Sequence, residues 1–223
     1  MSFTFPNEYH GMSYELNWSL AKTGVVPQGL SFRNLKAAEL SQAGGSIKTD
    51  APKVVDFENA IEREVKAQLG GEKVTRYVQD CALGALASNE IHARIVSDSS
   101  AAALAFHTLC SRTKKVPLPE YEADVEVLHV TSLGSRGSFI TMNPKTKQIF
   151  MAGSFNAGAV VKMIASMSTD FFLHKGTLPL WGPGKAGETV FCSLGFDAGS
   201  MPVKHGFAIS TAGFCRLFMG SVR

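Results

Sequence analysis

The sequence predicts an α/β fold, a mixed β-sheet flanked by helices, on three observations. Strand-like apolar runs alternate with longer segments of helical period, and strand–helix–strand units favour parallel neighbours. Two of the runs, Phe139 to Met142 and Gln148 to Met151, are joined by Asn143-Pro144-Lys145-Thr146, turn chemistry that makes an antiparallel hairpin and therefore a mixed sheet. No internal repeat or low-complexity linker interrupts the series, so residues 31–223 read as one domain, with an extension over 1–30 and a tail from about residue 200.

In chain order, residues 1–11 are aromatic and rich in turn formers (Phe3, Phe5, Pro6, Tyr9), the composition of an arm laid on this domain or on a partner. Tyr14, Leu16, Trp18 and Leu20 alternate at period two among good helix formers, which leaves strand and helix both open for Tyr14 to Ala21. A short helix is expected from about Leu35 to Gln42, with Asn34 as N-cap and Gly44-Gly45 as its stop, followed by a polar loop over 44–53. Asp56 then caps a helix in which Phe57, Ile61, Val65 and Leu69 recur every four residues, ending at Gly70-Gly71. Val74 to Val78 and Ile91 to Val96 read as strands. Ser99 or Ser100 opens an alanine-rich helix through Cys110, and Pro117 and Pro119 mark the loop beyond it. Val125 to Val130 precedes the hairpin. A helix from Gly158 to about Phe172 follows it, then shorter strand candidates at Thr189 to Ser193 and Gly206 to Ile209.

Composition narrows the function classes. With 223 residues, 45% hydrophobic and 18% charged, the chain can bury a substantial core. Its net charge of +3 is spread over 22 basic and 19 acidic side chains, and no basic run exceeds Lys114-Lys115, so there is no electrostatic footprint for nucleic acid. Cys81, Cys110, Cys192 and Cys215 form no C-x-x-C pair; buried free thiols in a reducing compartment are expected, without a zinc cage. No apolar stretch reaches the roughly 20 residues that span a bilayer. The first 21 residues hold Glu8 and Glu15 but no Lys or Arg, unlike a signal peptide or an Arg-rich transit peptide.

The stretch with the greatest chemical interest is Met151-Ala152-Gly153-Ser154-Phe155-Asn156-Ala157-Gly158-Ala159-Val160-Val161-Lys162, running on to Lys175-Gly176-Thr177-Leu178-Pro179-Leu180-Trp181. An apolar strand that ends in small residues and turns into a helix can present backbone N–H groups to an anion. Yet Asn156, Ala159, Val161 and Trp181 stand where such a site would use ionisable or hydroxyl groups.

Tyr77-Val78-Gln79-Asp80-Cys81-Ala82-Leu83-Gly84, Ala93-Arg94-Ile95-Val96-Ser97-Asp98 and this stretch together resemble the amino-terminal domain of ATP-dependent phosphoenolpyruvate carboxykinases. In that family one strand ends V-D-x-x-x-G, another reads V-R-V-I-T, and a hairpin of the type F-x-x-x-N leads into G-G-T-x-Y-A-G-E-x-K-K. This chain supplies Asp80 and Gly84, Arg94, Phe139 and Asn143, then Gly153, Ser154, Ala157, Gly158 and Lys162, with Lys175-Gly176 beyond. The likeness spans about residues 74–195.

Family enzymes carry a second domain with a phosphate loop and convert oxaloacetate and ATP to phosphoenolpyruvate and CO2 with Mg2+ and Mn2+. Carried over residue by residue, the resemblance implies a scaffold without that chemistry. The substrate-contacting tyrosine falls on Asn156, the glutamate on Ala159 and the first lysine of the pair on Val161; Lys162 aligns with the metal-ligating lysine. The metal-binding histidine of M-H-C-S-A-N falls on Trp181, whose indole has no lone pair for a cation. The G-R-S-P arginine segment has no counterpart between Gln42 and Val55. Phe191-Cys192-Ser193-Leu194-Gly195-Phe196-Asp197-Ala198-Gly199-Ser200 places Gly199 near the phosphate-loop lysine and adds the negative charge of Asp197. Gly182-Pro183-Gly184-Lys185-Ala186-Gly187 is read as a turn.

The remaining candidates read structurally. His92, His107, His129 and His174 have no carboxylate or serine at a diagnostic spacing, Lys162 is a solvated charge, and Asp80 and Arg94 form an ion pair between adjacent strands. The expectation is a pseudoenzyme of the carboxykinase family with no catalytic residues, cofactor or metal. It would serve as a structural or accessory subunit of a multi-protein, mitochondrial assembly, with Trp181, the aromatic arm and the segment from Phe214 to Met219 as contacts. The alternative is a divergent or partial carboxykinase, or a module that binds an anion or carboxylate at the turn from Gly153 to Gly158.

Overall fold

The computed structural model describes residues 14–83, 91–109, 112–113, 118, 121–174, 184–185 and 191–192. Its elements run α1 (Tyr14–Lys22), β1 (Ser31–Arg33), α2 (Ala37–Gln42), β2 (Lys53–Val54), α3 (Asn59–Gly70), β3 (Arg76–Leu83), β4 (Ile91–Ser97), α4 (Ser100–Leu109), β5 (Arg112–Thr113), β6 (Val125–Val130), β7 (Phe139–Asn143), β8 (Gln148–Ala152) and α5 (Ala157–His174). A separate two-residue pair follows, β9 (Gly184–Lys185) antiparallel to β10 (Phe191–Cys192).

The main sheet has eight strands in the order β1-β3-β4-β6-β8-β7-β2, with β5 pairing with β3 off this path. It is mixed, as expected. β4, β6 and β8 run parallel. The β3–β4 and β7–β8 pairs are antiparallel, and Asn143 stands opposite Gln148 at the hairpin end.

Helices cover both faces, which is why β8 is buried at all five positions and β6 at five of six. On one face α4 and α5 pack over Ala93, Ile95, Val127, Ile149 and Met151. On the other, α1 and α3 pack over Val78, Val96, Leu128 and Phe150. Successive residues of β8 divide cleanly between the two cores, the period-two alternation that a strand imposes. Helix α2 sits on α4 through Leu40 and Ala103.

Local chemistry explains where several boundaries differ from expectation. In α3, Ile61, Val65 and Leu69 are buried at i, i+4, i+8, each stabilising the fold by about 1.5–3 kcal/mol. The helix begins after Glu58 rather than at Asp56, and Phe57 lies ahead of it, its ring 6.0 Å from that of Phe150. Gly70-Gly71 does end the helix, but Gly71 has φ −54°, not a left-handed cap. The open carbonyls of Leu69 and Gly71 accept from the buried Arg76 guanidinium instead.

Asn34 does not cap α2. It takes a left-handed φ of 53°, and its Oδ1 accepts from the Asp80 N–H, while Lys36 occupies the cap position and donates its N–H to Glu39. Ser99, by contrast, caps α4 by accepting from the Ala102 N–H. Strand β3 starts two residues later than expected and runs on to Leu83, because β4 pairs with it as far as Leu83 opposite Ile91, with β5 adding pairs at Cys81 and Ala82. Helix α5 extends from Ala157 to His174.

Two expectations change more substantially. Within the extension 1–30, residues 14–22 form a helix, and Leu16, Leu20 and Val25 are fully buried in the core beneath α3. Cys81 is disulfide-bonded rather than a free thiol, which removes the ground for inferring a reducing compartment. The strand candidate at Gly206 to Ile209 and the arm over 1–11 lie outside the described residues.

Candidate functional site

The carboxyl ends of the parallel strands form the first place to look. There β4 leads into α4 and β8 into α5 on one face, whereas the loop after β6 crosses to the other, where Leu133 joins the α3 core and Arg136 pairs with Glu64. A sheet whose strand exits diverge in this way leaves a crevice between them.

The turn from β8 into α5 is closed by its own chain. Gly153 has φ +77°, and a Cβ there would collide with Ser138, so only glycine fits. Its N–H donates to Val130 O at 2.9 Å, and the Ser154 N–H to Ser138 Oγ at 3.1 Å. The Phe155 N–H donates to Lys48 O at 2.9 Å. Asn156 caps the helix. Its Oδ1 accepts from the Ala159 N–H at 2.9 Å, and its Nδ2 donates to Thr49 O at 2.9 Å. Asn156 thus ties α5 to the loop over 44–50. Ser100 Oγ holds the same loop through Gly44 O.

The other residues singled out from the sequence scatter. Lys162 is exposed on α5, Ala159 and Val161 pack against the core beneath that helix, and Trp181 lies outside the described residues. So do residues 193–200 of the segment aligned with the phosphate loop; Phe191 and Cys192 pair with β9, which includes Gly184 and Lys185 of the glycine-rich turn.

Sequence spacing missed a buried pair behind the turn. His129, at the end of β6, is fully buried between Ser97 and Gly153, its ring edge-on to Phe155 at 5.6 Å. Nε2 carries the proton and donates to Gly153 O at 3.1 Å, so Nδ1 accepts from Ser97 Oγ at 2.8 Å. Ser97 Oγ in turn accepts from the Ser99 N–H. Burial pushes the imidazole pKa down to about 4. Both side chains are shut off from solvent, so this hydroxyl–imidazole contact joins the ends of β4, β6 and β8 rather than presenting a nucleophile. Beside it, the Asp98 carboxylate accepts from the Thr131 N–H and hydroxyl; burial holds its pKa above the usual carboxylate value.

At the opposite end of the strands, Asp80 and Arg94 meet as expected, directly opposed across β3 and β4. Asp80 is fully buried and takes a second arginine as well. Arg94 Nε donates to Oδ1 at 2.6 Å and Nη2 to Oδ2 at 2.9 Å, while Arg33 Nε donates to Oδ2 at 2.6 Å. The Tyr121 ring faces both guanidiniums, with centroid distances of 4.9 Å to Arg94 and 5.8 Å to Arg33. The polar row continues across the sheet in register. Arg94 stands opposite Glu126 and Glu126 opposite Gln148, whose Nε2 donates to both Glu126 and Thr23 O. Arg94 Nη1 donates to Ser19 Oγ, so the row also seats α1.

Fold and site together define a three-layer α/β protein whose polar clusters are bonded mainly to the chain itself. Among the described residues no group of three or more His, Cys, Asp or Glu is placed to hold a metal ion, and no helix is long and apolar enough to cross a membrane. Comparison with models of known protein families and with curated proteins returns no match; the likeness to carboxykinases rests on the residues quoted above.

Proposed function

We propose that the chain is a non-catalytic relative of the phosphoenolpyruvate carboxykinases that acts through its surfaces, as an accessory subunit of a larger, mitochondrial protein assembly. The observation that carries this reading is Asn156. At the position aligned with the substrate-contacting tyrosine, both ends of its amide bond to the chain's own backbone, and the neighbouring N–H groups of Gly153, Ser154 and Phe155 are likewise engaged. An anion entering this turn would have to displace protein acceptors already in place, each worth about 0.5–1.5 kcal/mol net. The exposed surface supports the same reading: the indole of Trp18 is 73% exposed, with Val26 at 64% and Leu30 at 46% further along the same segment.

The test has two arms. The purified chain should show no ATP-dependent decarboxylation of oxaloacetate and no nucleotide affinity in the micromolar range by calorimetry. In native extract it should migrate with other subunits, and Trp18→Glu should release it. Turnover with ATP, micromolar nucleotide binding, or a free monomer in native extract would each overturn the proposal.

A further inference from the structure

The crevice beside the closed turn has a different character. It encloses about 410 Å³ between two loops, with Ser46 and Lys48 on one wall, Ser132 and Gly134 on the other and Gly153 at the base. A volume of this order suits a small molecule. It lies at the carboxyl ends of β6 and β8, where the exit of β6 diverges from that of its neighbours, the position in an open α/β sheet at which ligands sit.

The lining has a sign. It includes one ammonium group and several hydroxyls but no carboxylate. Among the described residues, the backbone N–H groups of Ser132, Leu133 and Gly134 donate to no protein acceptor, in contrast to the neighbouring turn. Gly134 and Gly137 take φ of +53° and +72°, and a Cβ on either would meet nothing within 4 Å, so space lies open beside this stretch of backbone. Unbonded N–H groups beside a lysine are the donors that an oxyanion accepts from. Two further charges adjoin the loop. Arg136 is held by Glu64 and Glu58, and the Asp98 carboxylate, tied to Thr131 of the lining, would oppose an anion.

The geometry points to this crevice as a binding site for a small oxyanion, a phosphate or a carboxylate, held by Lys48 and the amides of residues 132–134. The site adjoins the closed turn, sharing Lys48, Ser138 and Gly153 with it, but does not include Asn156, and it goes beyond the accessory-subunit reading. Occupancy would bridge the loop over 44–50 to the loop over 131–138, coupling a ligand to the surface without any reaction.

Amide chemical shifts of the full chain, followed during separate titrations with inorganic phosphate, malonate and ATP, test the proposal. Saturable shifts centred on Ser132, Leu133 and Gly134 with phosphate or malonate are expected, and whichever binds more tightly identifies the headgroup. Lys48→Ala should weaken that binding about fivefold, with Lys48→Arg restoring it, and Asp98→Asn should tighten it about two- to fivefold. Linear, unsaturated shifts spread over the surface, or an affinity indifferent to Lys48→Ala, would overturn it. ATP binding at micromolar concentration would strike the non-catalytic reading, while failure of phosphate and malonate to bind would strike this inference alone.

Discussion

The two ends of the parallel strands handle buried polarity in opposite ways. At the amino ends, Asp80, Arg33 and Arg94 satisfy one another through charge, sealed by Tyr121 and α1. At the carboxyl ends, neutral contacts through Ser97, His129, Ser138 and Asn156 close the turn without ion pairs, leaving a polar crevice beside it. A charged cluster in a dry interior fails as a unit when one member is lost, whereas a neutral network loses its bonds one at a time. The amino end is therefore the part of the fold that cannot be altered piecemeal. The carboxyl end can lose one such contact, Asn156 among them, while the rest of the network stays bonded.

Asp80→Asn should produce the largest effect and is the sharpest test of the contrast. The amide keeps the shape but removes the buried carboxylate that both guanidiniums share, a loss of about 3–5 kcal/mol that a urea unfolding midpoint would register. A loss below about 1 kcal/mol would mean that the arginines find other partners and that the two ends do not differ in kind.

The next effect belongs to His129 and depends on pH. Its folded pKa of about 4 lies below the ordinary 6.5, so the unfolded chain binds more protons between these values. The stability this group contributes is complete above about pH 6.5 and is lost as pH falls towards 4, amounting to roughly 3 kcal/mol over the interval. His129→Gln should remove that part of the acid dependence, read as the difference between the two proteins' unfolding free energies at pH 7 and pH 4.5. Parallel curves would show that the imidazole is not the group that charges.

Much of the scaffold was legible because it obeys short periods. β4, β6, the hairpin and the stripe of α3 follow from local alternation, and Asp80 opposite Arg94 follows from pairing adjacent strands. The α1 segment was ambiguous because Leu16, Trp18 and Leu20 fit period two. Burial resolves it as helical, since Leu16 and Leu20 are fully buried while Trp18 faces outward. Other features were hidden by distance along the chain. Arg33 lies 47 residues from Asp80, and Ser97 lies 32 from His129, separations that no local pattern encodes. The cap by Arg76 and the role of Asn34 escaped for another reason: in each case a side chain from a neighbouring element supplies what a local residue was expected to provide.

Asn156→Ala tests the carboxyl end at a more modest scale. Removing a helix cap and the strut to Thr49 should cost about 1 kcal/mol. Increased amide exchange should be confined to residues 44–50 and the first turn of α5. A loss as large as that of Asp80→Asn would erase the distinction between the two ends.

The smallest expected change has the opposite sign and probes the margin of the charged row. Burial raises the Glu126 carboxyl above its usual range, more than the Gln148 hydrogen bond and the charges of Arg94 and Lys66 lower it, and Asp80 adds to the rise. The folded protein therefore binds more protons than the unfolded chain above the ordinary carboxylate value, and this group's contribution declines as pH rises through that interval. Gln148 Oε1 is meanwhile buried without a hydrogen-bond partner. Glu126→Gln removes the desolvated charge and supplies an N–H that can reach that oxygen. It should stabilise the protein by roughly 0.5–1 kcal/mol at pH 8 and by much less at pH 4, where the native carboxyl is itself protonated. Urea unfolding of both proteins at the two pH values decides it. If the variant is instead weaker at pH 8, Arg94 requires Glu126 as well as Asp80, and the charged cluster reaches one strand further across the sheet than the bonds to Asp80 define.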